Sequence, residues 1–220
     1  MAKTNTLPND TRVEIARQIG ERMMAGDDDD APILSFESIS SQDTPSNPAI
    51  GLTESFEVWR LSPGAVRRFE RGKCGLGVLA KRTESLQHQI RLANGDLAFA
   101  TSSSSSNSDG SWLVEEIFVS PIAKAIDKAI EWTDENIPDD KMTRLLTAPA
   151  YHVTALWFVN EDDQCEADLG GDVLIVTAPS DSPQLEPLKL LDSDTFLEIL
   201  RQRPVGIGLG AKVSDPNRRT

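Results

Sequence analysis

Residues 86–100 read Leu-Gln-His-Gln-Ile-Arg-Leu-Ala-Asn-Gly-Asp-Leu-Ala-Phe-Ala, and this stretch decides the fold class. Leu86, His88, Ile90 and Leu92 fall on one side of a two-residue repeat, with Gln87, Gln89 and Arg91 on the other. That alternation marks a strand with one buried face. Asn94-Gly95 follows directly. Both central residues of a tight hairpin turn need positive φ, which asparagine and glycine accept most readily. The stretch therefore predicts a β-hairpin, and with it antiparallel pairing.

Further strands are expected on either side. Phe56, Val58 and Leu61 mark one, and residues 76–80, 112–119, 153–159 and 172–177 mark others. The last two are apolar on both faces and joined by a polar loop, which predicts a second hairpin at the centre of a sheet. Ser62-Pro63 and Ser120-Pro121 each offer a side-chain N-cap followed by proline at the first helical position, where its missing N–H costs nothing. The second pair opens a helix to about residue 136, with Ile122, Ile126 and Ile130 in one stripe and Ile137 at its end. Residues 139–146 are expected to form a short helix, residues 194–202 a last helix, and the serine run from Ser102 to Ser106 a loop. Short turns join most neighbouring strands, so the expected fold is α+β, a mainly antiparallel sheet with two or three packed helices.

The ends read differently. Residues 11–25 predict an amphipathic helix with Thr11 and Glu14 as a capping box and Ile15, Ile19 and Met23 as its apolar stripe. Asp27-Asp28-Asp29-Asp30 and a Ser-, Pro- and Asp-rich run follow, a composition that buries little. The domain plan is a helix and flexible linker over residues 1–50, one α+β domain over 51–210, and a frayed tail over 211–220. A helix of about 15 residues is marginal alone in water, so it is expected to dock on its own body, a second copy or a partner.

Composition narrows the function classes. The chain has 220 residues and a formal net charge of −13, which opposes sequence-independent binding to nucleic acid. No apolar run approaches the length of a membrane span, and the N-terminal residues lack a secretion-type apolar core. A soluble, cytoplasmic protein with reduced Cys74 and Cys165 is expected.

The common catalytic signatures are missing. Gly206-Ile207-Gly208-Leu209-Gly210 follows a helix, where a dinucleotide fingerprint would need to follow a strand. The acids of residues 160–172 miss the spacing of a calcium loop and read as a solvated hairpin tip. No metal and no cofactor is expected.

Three function readings remain. The leading one is a non-catalytic interaction protein, an adaptor, regulator or accessory subunit. It would act through the tethered helix (Ile15, Ile19, Met23) and its charged surfaces on a protein partner or a second copy, with no membrane. The alternative is a thiol-dependent enzyme using Cys74, set between Lys73 and Gly75, with His88 or His152. The third is a nucleic-acid-binding module using the basic 60–91 segment, above all Arg67, Arg68, Arg71, Lys81 and Arg82. Against the third, stacking residues are few there, and the basic and acidic portions are able to neutralise one another.

Overall fold

The computed structural model describes residues 7–25, 51–91, 95–104, 112–118, 120–160 and 171–205. Helix α1 (Asn9–Ala25) comes first, then strand β1 (Gly51–Leu61) and two short helices, α2 (Pro63–Arg67) and α3 (Leu76–Leu79). Strands β2 (Ala80–Arg91), β3 (Leu97–Ser104) and β4 (Trp112–Phe118) follow, then helix α4 (Pro121–Asn136). Strands β5 (Lys141–Ala148), β6 (Val153–Asn160), β7 (Asp172–Thr177) and β8 (Leu190–Asp192) lead into helix α5 (Ser193–Gln202).

The strands form one open eight-stranded sheet in the order β4-β3-β2-β1-β5-β6-β7-β8. Every neighbouring pair is antiparallel except β1 and β5. Each half is thus a four-stranded meander followed by a helix, and the halves meet at a parallel seam of only three residue pairs, Val58–Arg60 against Leu145–Thr147. An α+β fold with a mainly antiparallel sheet is what the hairpin at residues 86–100 predicts.

Side-chain packing across both faces holds the halves together. On one face α4 sets Ala123, Ile126 and Ala129 against Phe56 and Phe99 of the first half and Leu156 and Leu174 of the second. On the other, α5 sets Phe196, Leu197 and Leu200 against Trp59 and Leu61 of β1, Val66 of α2 and Trp157 of β6. A third cluster lies on the α5 face of the first half, where Ile15 and Ile19 of α1 meet Ile90, Ala98, Ala100 and Val114. Local caps match their sequence signals: the Ser62 hydroxyl accepts from the Ala65 N–H, and the Ser120 hydroxyl from the Ile122 N–H.

Four local expectations are corrected. Residues 139–146 are not a helix but contain most of β5: Thr143 and Leu145 face α4, while Leu146 faces α5. Both edges of this strand find partners, β1 and β6, and that long-range pairing overrides the helix-like spacing of Met142, Leu145 and Leu146. Residues 76–80 are mostly the single turn α3, which buries Leu76 and Leu79 together on the α5 face. Ser102, Ser103 and Ser104 belong to β3 and not to a loop, because Leu86, His88 and their neighbours on β2 pair with that strand. In α1, Thr11 lies inside the helix and caps nothing, since the helix begins at Asn9. The expected linker, the acidic loop, the Gly206–Gly210 run and the tail lie outside the described residues, as does Cys165.

Candidate functional site

Helix α1 sits on the sheet as a bracket over its outer edge. The side chains of Ile15 and Ile19 are fully buried, one helical turn apart. Gln18 and Arg22 lie on the neighbouring stripe and reach the edge strand β4. The Gln18 carboxamide donates through Nε2 to the Trp112 carbonyl at 3.0 Å and accepts at Oε1 from the Val114 N–H at 2.9 Å. Arg22 donates to the Glu115 carbonyl at 2.6 Å, and Arg12 to the Leu52 carbonyl at 3.1 Å. On the solvent side, Glu14 accepts from Arg17 and Gln18, which holds its carboxyl well below the usual range, at about 2. Met23 belongs to α1 by its backbone, while its side chain lies outside the described residues.

The basic segment divides into paired and exposed cations. Arg71 faces Asp194 at 3.8 Å and Glu198 at 3.4 Å on α5, Arg91 faces Asp127 of α4 at 3.4 Å, and Lys73 pairs with Glu70. Arg82 meets Glu57 at 2.6 Å, and the other oxygen of Glu57 lies 3.8 Å from Arg144. Arg60, Arg67, Arg68 and Lys81 remain exposed. The β1–β2 register sets Arg60 directly opposite Lys81.

Glu57 and Arg144 were not singled out from the sequence, and they form a mostly buried ion pair beside the seam between the halves. The Arg144 guanidinium lies 4.6 Å from the ring centre of Trp59 and 5.2 Å from that of Trp157. The two indoles meet edge to face at 5.3 Å. Gln18 was missed too. A glutamine within an amphipathic helix carries no local mark, because its role depends on a strand 94 residues away.

Cys74 is partly buried against the α5-side core. His88 is fully buried on β2, its Nδ1 2.9 Å from the Ser55 hydroxyl and its Nε2 2.6 Å from the Ser102 hydroxyl. Burial alone pushes its pKa down to about 4. His152 is exposed at the end of the 3-10 turn Pro149–Tyr151 with φ 56°. Among the described residues no hydrogen bond joins Cys74 to either histidine, and no cluster of three or more metal-binding side chains occurs. No described helix is long and apolar enough to cross a membrane. No family model, curated protein or solved structure matches this chain.

Proposed function

We propose that this chain is a non-catalytic interaction protein whose α1 is the displaceable element through which partners engage it. One observation carries the reading: among the described side chains, α1 rests on the body through two buried isoleucines, with Leu7 beside them, and a few side-chain bonds to strand backbone. Full burial of an isoleucine is worth roughly 1.5–3 kcal/mol, so the pair supplies only about 3–6 kcal/mol against the entropy of ordering the helix. Elements so weakly attached open locally without global unfolding. The 25 residues between α1 and β1, rich in Asp, Ser and Pro, lengthen the tether without adding much apolar surface.

The test compares the full chain with Ile15→Glu/Ile19→Glu in capture from source-cell lysate, with and without nuclease. A protein partner whose retention changes between the two chains supports the reading. Equal retention by both, or no retention by either, removes α1 from the function.

A second reading has one observation in its favour. Like charges directly opposite each other in a sheet destabilise it, yet Arg60 faces Lys81, and Arg67 and Arg68 follow β1 closely in the chain. This exposed basic end would suit a phosphate-rich partner. It predicts nuclease-sensitive capture that falls steeply with added salt and disappears in Arg67→Ala/Arg68→Ala/Lys81→Ala.

A further inference from the structure

Sheet edges present a row of backbone donors and acceptors that another strand can take up. In β4, the edge strand of the first meander, the Trp112 carbonyl and the Val114 N–H are met by one side chain, Gln18 of α1. Residues i and i+2 of a strand turn these groups to the same side, where an added strand would meet them with an N–H and a carbonyl of its own. The Gln18 carboxamide offers the same donor–acceptor pair. Arg22, one turn on, donates to the Glu115 carbonyl, where β4 shifts register against β3. Helix α1 thus occupies the edge as a strand would, without being one.

We propose that the outer edge of β4 is a strand-addition site plugged by α1, and that its occupant is an extended peptide of another protein alternating apolar and basic residues. The inference rests on the reading of α1 as displaceable and states what its departure uncovers.

Charge selects the occupant. The strand carries Glu115 and Glu116, both exposed, beside the half-exposed Leu113. Antiparallel pairing of two copies of β4 would bring these carboxylates near each other, and like charges across a strand pair are destabilising. The formal net charge of −13 also sets one copy against another, while it draws in a cationic segment. Apolar positions of the incoming strand would lie beside Val114, the β4 member of the cluster that Ile15 and Ile19 cover in the closed state.

The probe is a synthetic capped peptide alternating valine and lysine, followed by fluorescence anisotropy on the full chain. Two control peptides alternate valine and glutamate, or keep the lysines and replace two valines by proline. Gln18→Leu removes the carboxamide and keeps both isoleucines, so it tests the plug without stripping the apolar contact. It should bind the valine–lysine peptide about tenfold more tightly than the unmodified chain does. Amide exchange at Val114 should quicken in Gln18→Leu and slow again when the peptide is added. Glu115→Lys/Glu116→Lys should shift preference to the valine–glutamate peptide.

Equal binding of the proline-bearing peptide would overturn the proposal, because charge alone would then account for the affinity. Concentration-dependent dimers of Gln18→Leu would overturn it in favour of a second copy as occupant. Quickened exchange at Val114 without peptide binding refutes strand addition alone. Unchanged exchange at Val114 in both Gln18→Leu and Ile15→Glu/Ile19→Glu refutes the displaceable helix, and the proposal with it.

Discussion

His88 shows how one residue's chemistry follows from its neighbours. Its ring lies with both nitrogens against serine hydroxyls, Ser55 on β1 and Ser102 on β3, so it ties three strands together. Serine hydroxyls serve the neutral ring well, since one accepts and the other donates. Burial penalises the charged form and lowers the pKa to about 4. The unfolded chain takes up this proton near pH 6.5, whereas the folded chain resists it until about pH 4. The contribution is therefore complete above pH 6.5 and is lost progressively as pH falls toward 4. Between pH 7 and pH 5 the loss should be about 2 kcal/mol. Urea denaturation across that range should show it, and His88→Gln should flatten the profile. An equally steep profile in His88→Gln would mean that another group sets the slope.

At the scale of elements, the β6–β7 hairpin depends on a backbone position that composition leaves unmarked. Gly171 has φ +88°, and a Cβ there would stand 2.0 Å from the Phe158 carbonyl oxygen. Its own carbonyl accepts from the Ser193 N–H at 3.0 Å, which joins the hairpin to the start of α5. Gly72 also has positive φ, at +72°, but open space surrounds the missing side chain. Gly72→Ala should therefore cost about 1 kcal/mol, from backbone conformation alone. Gly171→Ala adds a collision with fixed backbone and should cost about 3 kcal/mol or more. Thermal or urea unfolding of the two variants checks the ordering, and comparable losses would refute it. The same scale separates what was legible from what was not. The two paired strands of the residue 86–100 hairpin, the helix from Pro121 and the two Ser-Pro openings carry their signals within a few residues, and each forms where expected, while residues 92–94 lie outside the described residues. Strand β5 has no such signal, because its two flanking strands come from opposite sides of it in the chain.

For the whole molecule, the seam between the meanders is the point of weakness. Three residue pairs of parallel ladder join β1 to β5. Beside them Glu57 and Arg144, each with a side chain less than 15% exposed, meet against Trp59 and Trp157. Removing Arg144 would strip the guanidinium from both indoles and leave Glu57 with only the exposed Arg82 as its partner. Arg144→Ala should destabilise the protein by about 3 kcal/mol and red-shift the tryptophan emission as water reaches the indoles. Glu57→Gln/Arg144→Met, which removes both charges and keeps their bulk, should lose less. If the double variant lost more than Arg144→Ala, the pair would be a net source of stability and not a local compensation. The distribution of charge also resolves at this scale. Arg71 and Arg91 find acids on α5 and α4, so part of the basic segment is neutralised across the fold, while Arg60, Arg67, Arg68 and Lys81 stay exposed.

The sequence by itself determined the antiparallel character of the sheet, the amphipathic nature of α1 and most helix starts. These depend on periodicity and on caps and turns only a few residues long. It also marked Ile15 and Ile19 as an apolar stripe, and they are buried. Only the tertiary structure decided what that stripe rests on, where the Gln18 carboxamide goes, and that His88 is buried between the hydroxyls of Ser55 and Ser102. Each of these is a contact between residues distant in the chain. Its energy comes from burial and hydrogen bonding that exist only once the strands are ordered side by side.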